Sequence, residues 1–130
     1  MKVISYFTNC LLFLALSTVS FAQNQEQPEK SPSEMASIQA DSMQKELKLT
    51  DTQSFFIDSI LQFNYTAMAA EFDKMKKAGI QSQDNYISVQ KKWTQKTEDA
   101  FKKVLNEEQF INYLKSTRRY KDYKKRNGLK

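Results

Sequence analysis

The stretch Leu49-Thr50-Asp51-Thr52-Gln53 decides the fold, and it returns 56 positions later as Leu105-Asn106-Glu107-Glu108-Gln109. In each copy an apolar residue precedes a strong helix N-cap, Thr50 or Asn106, and a glutamine follows three residues after the cap. That spacing is a capping box. The cap oxygen accepts from the amide of the third helical residue, and the glutamine reaches back to the amide of the cap. Asp51, Glu107 and Glu108 add negative charge where the helix dipole favours it. Both copies predict helix starts, with Leu49 and Leu105 placed to staple onto the apolar residues beyond.

Working outward, the first copy opens a helix from Thr50 to about Ala78. Ile57, Leu61, Tyr65, Met68, Phe72 and Met75 share one side at 100° per residue, and Phe56, Ile60, Phe63 and Ala67 adjoin them. Asp58, Ser59, Gln62, Thr66 and Asp73 form a narrow polar strip. The apolar arc covers about half the circumference, wider than the ~100° stripe of an ordinary amphipathic helix. It is either covered by two neighbouring helices or left as an interface for a second copy or a client. Lys74, Lys76, Lys77 and Gly79 suit a helix C-terminus.

Before it, Ser33 can cap a helix from about Glu34 to Leu47, with Met35, Ile38, Met43 and Leu47 on one side. Met35 and Met43 read as packing rather than a soft-metal site, since neither His nor Cys accompanies them. After it, Ser82 or Asp84 starts a third helix to about Val104. Its expected buried face is Tyr86, Val89 or Ile87, Trp93, Ala100, Phe101 and Val104. Trp93 reads as core or hinge packing. Glu98–Lys102 and Asp99–Lys103 have the favourable i, i+4 order, worth ~0.2–0.5 kcal/mol each. Asn106 caps a fourth helix carrying Phe110, Ile111 and Leu114, with Tyr113 flanking.

The N-terminus reads as a signal peptide over residues 1–22. Lys2 supplies charge, Leu11–Leu16 an apolar core, and Ser20-Phe21-Ala22 a small-residue cleavage site. An uncleaved anchor is the alternative. Gln23–Ser33 is polar, includes Pro28 and Pro32, and reads as a disordered leader. Cleavage near Ala22 would remove the single cysteine, Cys10, and lower the net charge from +5 to +4. With no histidine and no cysteine left, disulfides, His/Cys metal sites and Cys-His or Ser-His-Asp catalysis are all excluded. No cofactor is expected. Asp58, Glu71 and Asp73 read as solvated carboxylates, so no enzymatic activity is expected. The remaining chain of about 108 residues suits one small domain. Its two glycines and two prolines are too few for the turns of a sandwich or barrel, and the expected class is all-α.

Charge divides this chain. Residues 23–114 carry 11 basic and 14 acidic side chains, whereas the end holds Lys115, Arg118, Arg119, Lys121, Lys124, Lys125, Arg126 and Lys130 against Asp122 alone. Residues 118–130 therefore read as a basic C-terminal tail, with Tyr120 and Tyr123 among the cations. A secreted chain seldom meets nucleic acid. The tail reads instead as a solvated helix end, a contact for an acidic partner face, or a weak attraction to anionic membrane.

Together these features resemble the Spy/CpxP-like LTxxQ-motif family of periplasmic proteins. Leu49-Thr50-x-x-Gln53 matches the motif outright; in the second copy Asn106 replaces threonine while Leu105, Glu108 and Gln109 fit. The resemblance spans roughly residues 34–118. It implies a four-helix, hairpin-like cradle that dimerises in the envelope as an ATP-independent chaperone or a modulator of stress signalling. It also implies that Leu49, Thr50, Gln53, Leu105, Asn106 and Gln109 are structural positions. The leading expectation is a protein-binding protein for unfolded or envelope proteins, a homodimer. Its expected client or dimer surface is Phe55, Phe56, Phe63, Phe72 and Ile80, ringed by Lys45, Lys48, Lys74, Lys76 and Lys77. The alternative is an envelope adaptor gripping one partner through Arg118, Arg119, Lys121, Lys124, Lys125 and Arg126.

Overall fold

A computed structural model describes residues 29–129. The signal peptide read over residues 1–22, and the leader as far as residue 28, lie outside them. The described chain is all-α, with α1 (Pro32–Leu47), α2 (Asp51–Lys77), α3 (Gln83–Val104), α4 (Glu107–Ser116) and α5 (Tyr120–Arg126). α2 packs against α1 on one side and α3 on the other. α4 crosses the ends of α1 and α3, and α5 folds onto α4.

Both capping boxes form. Thr50 Oγ1 accepts from Gln53 N at 3.2 Å and Asn106 Oδ1 from Gln109 N at 2.8 Å, while each glutamine carbonyl accepts from its own cap amide at 3.1 Å. The two boxes are also bonded to each other. Gln53 Nε2 donates to Gln109 Oε1 at 2.8 Å, and Gln109 Nε2 donates back to Gln53 Oε1 at 3.2 Å. Each amide also ties down a carbonyl at the end of another helix, Val104 O for Gln53 and Leu47 O for Gln109. A pair of side chains thus joins four helix termini, and satisfied amides of this kind can be half-buried without penalty.

The core collects around that junction. Leu49, Ile57, Leu61, Phe101, Leu105, Phe110 and Leu114 are buried there, with Ala36, Ala40 and Met43 of α1. Tyr113 sets its ring edge-on to Phe101 at 5.0 Å.

Several expectations need correction. α1 begins at Ser31 rather than Ser33: Ser31 Oγ accepts from Glu34 N at 3.1 Å and its amide donates to Glu34 Oε2 at 2.8 Å. Pro32 follows at the first helical position, where its missing N–H costs nothing; Pro32 and Ser33 therefore belong to the helix. The buried face of α1 is Ala36, Ala40 and Met43, whereas Met35 and Ile38 are each 51% exposed. Small residues allow a close approach to α2, which turns the larger ones outward. In α3 the buried residues are Thr97, Glu98 and Phe101; Tyr86, Val89, Trp93, Ala100 and Val104 are only half-buried, and Ile87 is exposed.

The largest correction concerns the end of the chain. A fifth helix forms within the basic tail read over residues 118–130, so the four-helix count fails. Arg118 adopts the left-handed conformation (φ 59°), which ends α4 and redirects the chain. Tyr120 and Tyr123 then pack against the core. Arg119 and Arg126 bracket a single carboxylate, Glu98, at 2.5 and 2.6 Å. Glu98 is 1% exposed and bonds these arginines rather than standing on the surface beside Lys102.

Candidate binding surface and groove

Unequal helix lengths create the candidate site. α1 has 16 residues and α2 has 27; at 1.5 Å per residue they span about 24 and 40 Å. The start of α1 meets the middle of α2, where Ser33 Oγ donates to Gln62 Oε1 at 2.7 Å and Tyr65 bonds Gln39. Past that level, among the described residues, α3 is the helix beside α2. Asn64 Nδ2 donates to Thr97 Oγ1 at 2.8 Å, and Phe72 packs on Tyr86 with ring centroids 5.4 Å apart.

Where α1 stops, a half-open groove of about 740 Å³ lies against α2 and α3. Leu61, Met68, Ala69, Phe72, Met35 and Trp93 give it apolar walls. The buried Asn64, Thr97 and Tyr113 mark its inner end, with the half-buried Arg119 and the exposed Thr117 also in the lining, and the exposed Glu29 and Lys30 mark its lip. Burial raises the phenol of Tyr65 above its ordinary range. It does the same to Tyr113 more strongly, with Glu98 adding to the effect and Arg119 opposing it. Both hydroxyls therefore stay protonated as donors, that of Tyr65 already engaged by Gln39.

Trp93 forms part of the wall and of a polar cluster. Its Nε1 donates to Glu71 Oε2 at 2.8 Å, and Lys92 Nζ bonds the same carboxylate at 2.6 Å. The Lys92 bond, followed by the Trp93 bond, holds the Glu71 carboxyl below its usual range. Lys96 Nζ lies 4.4 Å from the Trp93 ring centroid, a cation–π contact. Trp93, expected to be core or hinge packing, thus sits at a groove wall.

The expected surface residues separate into groups. Phe55, Phe56 and Phe63 of α2 are 67%, 48% and 69% exposed. Phe55 meets Phe56 edge-on, and Phe63 approaches Trp93 at 6.4 Å. Phe56 and Phe63 are seven residues apart and lie almost in line along the helix. Phe72 and Ile80 are half-buried, Phe72 inside the groove and Ile80 accepting from Tyr86 Oη through its carbonyl at 3.1 Å. Lys45 and Lys48 stand near the Thr50 end of α2, Lys74, Lys76 and Lys77 near the other, so the lysines form no single ring. Lys77 pairs with Asp73 at 2.7 Å. Of the tail cations, Arg119 and Arg126 are engaged by Glu98, while Arg118, Lys121 and Lys125 are exposed.

Residue spacing alone missed Glu98, but a signal was present. Thr94, Glu98, Phe101 and Leu105 fall on a 3–4 repeat, so the carboxylate occupies an apolar seam position and requires a cation from elsewhere.

No protein-family model, curated protein or solved structure matches the chain. Among the described residues, no three or more His, Cys, Asp or Glu side chains cluster as metal ligands, and no helix is long and apolar enough to cross a membrane.

Proposed function

We propose that the chain is a periplasmic protein-binding protein of the Spy/CpxP-like kind, a homodimeric helical cradle that holds unfolded envelope proteins without a nucleotide. The observation that carries this reading is the outward row of Phe55, Phe56 and Phe63 on the longest helix. Exposed aromatics this close together are uncommon on a monomer with no partner. Weak, plural contacts to apolar segments are what a holdase requires, and nearby lysines add attraction to acidic clients. The LTxxQ-like boxes and the signal-peptide reading are what support an envelope setting for this work.

The test is light scattering of reduced α-lactalbumin. Several-fold molar excess of the protein should suppress aggregation, and Phe55→Ser with Phe63→Ser should abolish most of the effect. Suppression unchanged by that double substitution removes the assignment. Solution mass of the unsubstituted protein reads the dimer: a mass that never exceeds one chain counts against it.

The adaptor reading retains one observation, the exposed Lys121 and Lys125 on a formed helix. Deleting residues 118–130 cannot test it, because deletion also strips Glu98 of its counter-charges. Lys121→Gln with Lys125→Gln leaves Glu98 intact. An adaptor loses its partner through that change, whereas a cradle keeps its clients.

A further inference from the structure

We propose that the groove between α2 and α3 binds a long-chain carboxylate, with the head at Tyr113 and Arg119 and the acyl tail along Leu61, Met68, Phe72 and Trp93. This goes beyond the client-holding reading, which rests on the outward phenylalanines.

The inner end is built for an anion. Tyr113 is 4% exposed, and among the described residues no group accepts from or donates to its hydroxyl, although the residue lines the groove. The hydroxyl is not sealed in the core, since Ser54 Oγ is the buried polar atom without a partner among the described residues; an unbonded hydroxyl that opens onto the groove is a position where a ligand atom can bond. Burial keeps that phenol protonated, hence a donor. Arg119 stands beside it. Among the described residues its guanidinium bonds only through Nε, to Glu98, which leaves the Nη groups for a second acceptor. Two guanidiniums surround one carboxylate here, so the cluster keeps one net positive charge. The lip offers no such excess, since Glu29 and Lys30 oppose each other.

The rest of the groove is built for hydrocarbon. From Leu61 to Phe72 the α2 wall rises about 16 Å, roughly the reach of a medium-to-long acyl chain, and Leu61, Met68, Ala69 and Phe72 line it with Asn64 and Tyr65 as its polar members. The volume of about 740 Å³ lies within the usual range for small-ligand sites.

Trp93 is the only tryptophan and lines the wall, so its emission reports occupancy directly. The delipidated chain is titrated below the critical micelle concentration with oleate and, separately, with oleyl alcohol. Oleate should give a saturable shift with one site, and the alcohol should bind about tenfold more weakly for want of the charge-assisted bonds. Tyr113→Phe keeps the ring in the core and should weaken oleate ~tenfold, with a smaller effect on the alcohol. Ala69→Phe should block both ligands, and Lys103→Gln, exposed on α3 and outside the groove, should change neither. Circular dichroism of each variant confirms that the helices persist. The proposal is overturned by the absence of a saturable shift, by equal affinity for acid and alcohol, or by an unaltered Tyr113→Phe. It is equally overturned if only an unfolded protein perturbs Trp93, which would make the groove part of the client surface. None of these outcomes bears on the scattering test of Phe55 and Phe63.

Discussion

The two ends of α2 are made from similar residues and behave oppositely. At the Thr50 end, α1, α3 and α4 converge, the Gln53–Gln109 pair joins their termini, and every large apolar residue of the core cluster finds neighbours. Beyond Tyr65, α1 has run out, and Met68, Phe72 and Trp93 border an open groove instead of a core. Composition does not separate the two ends; helix length does. A closed end supplies the stability, which frees the open end to leave apolar surface uncovered.

The sharpest way to break this contrast is at the closed end. Arg119→Met with Arg126→Met leaves Glu98 buried without a counter-charge and should lower stability by ~3–5 kcal/mol, read from the urea midpoint. Adding Glu98→Met to that pair should recover most of the loss, since a well-packed apolar trio can replace a buried ion cluster. A smaller effect is expected from Asn106→Ala, which removes one cap oxygen and should cost ~0.5–2 kcal/mol. Smaller again, and of opposite sign, is Ser54→Ala. The Ser54 hydroxyl is buried with no hydrogen-bond partner among the described residues, so its removal should stabilise by up to about 1 kcal/mol.

On the outer face of α2, Phe63→Ser should move the thermal midpoint little, the stability change staying within about 0.5 kcal/mol, while weakening client holding. A large drop in the midpoint would mean that the row of phenylalanines is structural. Acid provides the mildest probe. Because the carboxyl of Glu71 is held below its ordinary value of 4.5, its contribution is complete above that pH and fades as pH falls through the lowered value. Trp93 emission should therefore shift only in strong acid, and Glu71→Gln should remove that step.

Much of this arrangement was legible in the residues. Helix starts at Asp51 and Glu107 follow from cap and glutamine spacing, and the all-α class follows from scarce glycine and proline. The wide apolar arc of α2 reads as either covered by two helices or left as an interface; α1 and α3 cover part of it, and Phe56 and Phe63 remain exposed. Helix-face arithmetic failed on α1, where close packing selected Ala36 and Ala40 over Met35 and Ile38. It failed again at Glu98, because local spacing pairs it with Lys102 whereas the actual partners lie 21 and 28 residues away. The groove was not legible at all. It depends on where α1 stops against α2, a three-dimensional register that no single helix encodes.

The bracket around Glu98 also bears on the order of assembly. Its two cations lie 21 and 28 residues further along the sequence. A polypeptide emerging N-terminus first therefore cannot neutralise this enclosed anion until Arg119 and Arg126 have followed it. A fragment ending before position 119 carries an unmatched charge at its centre.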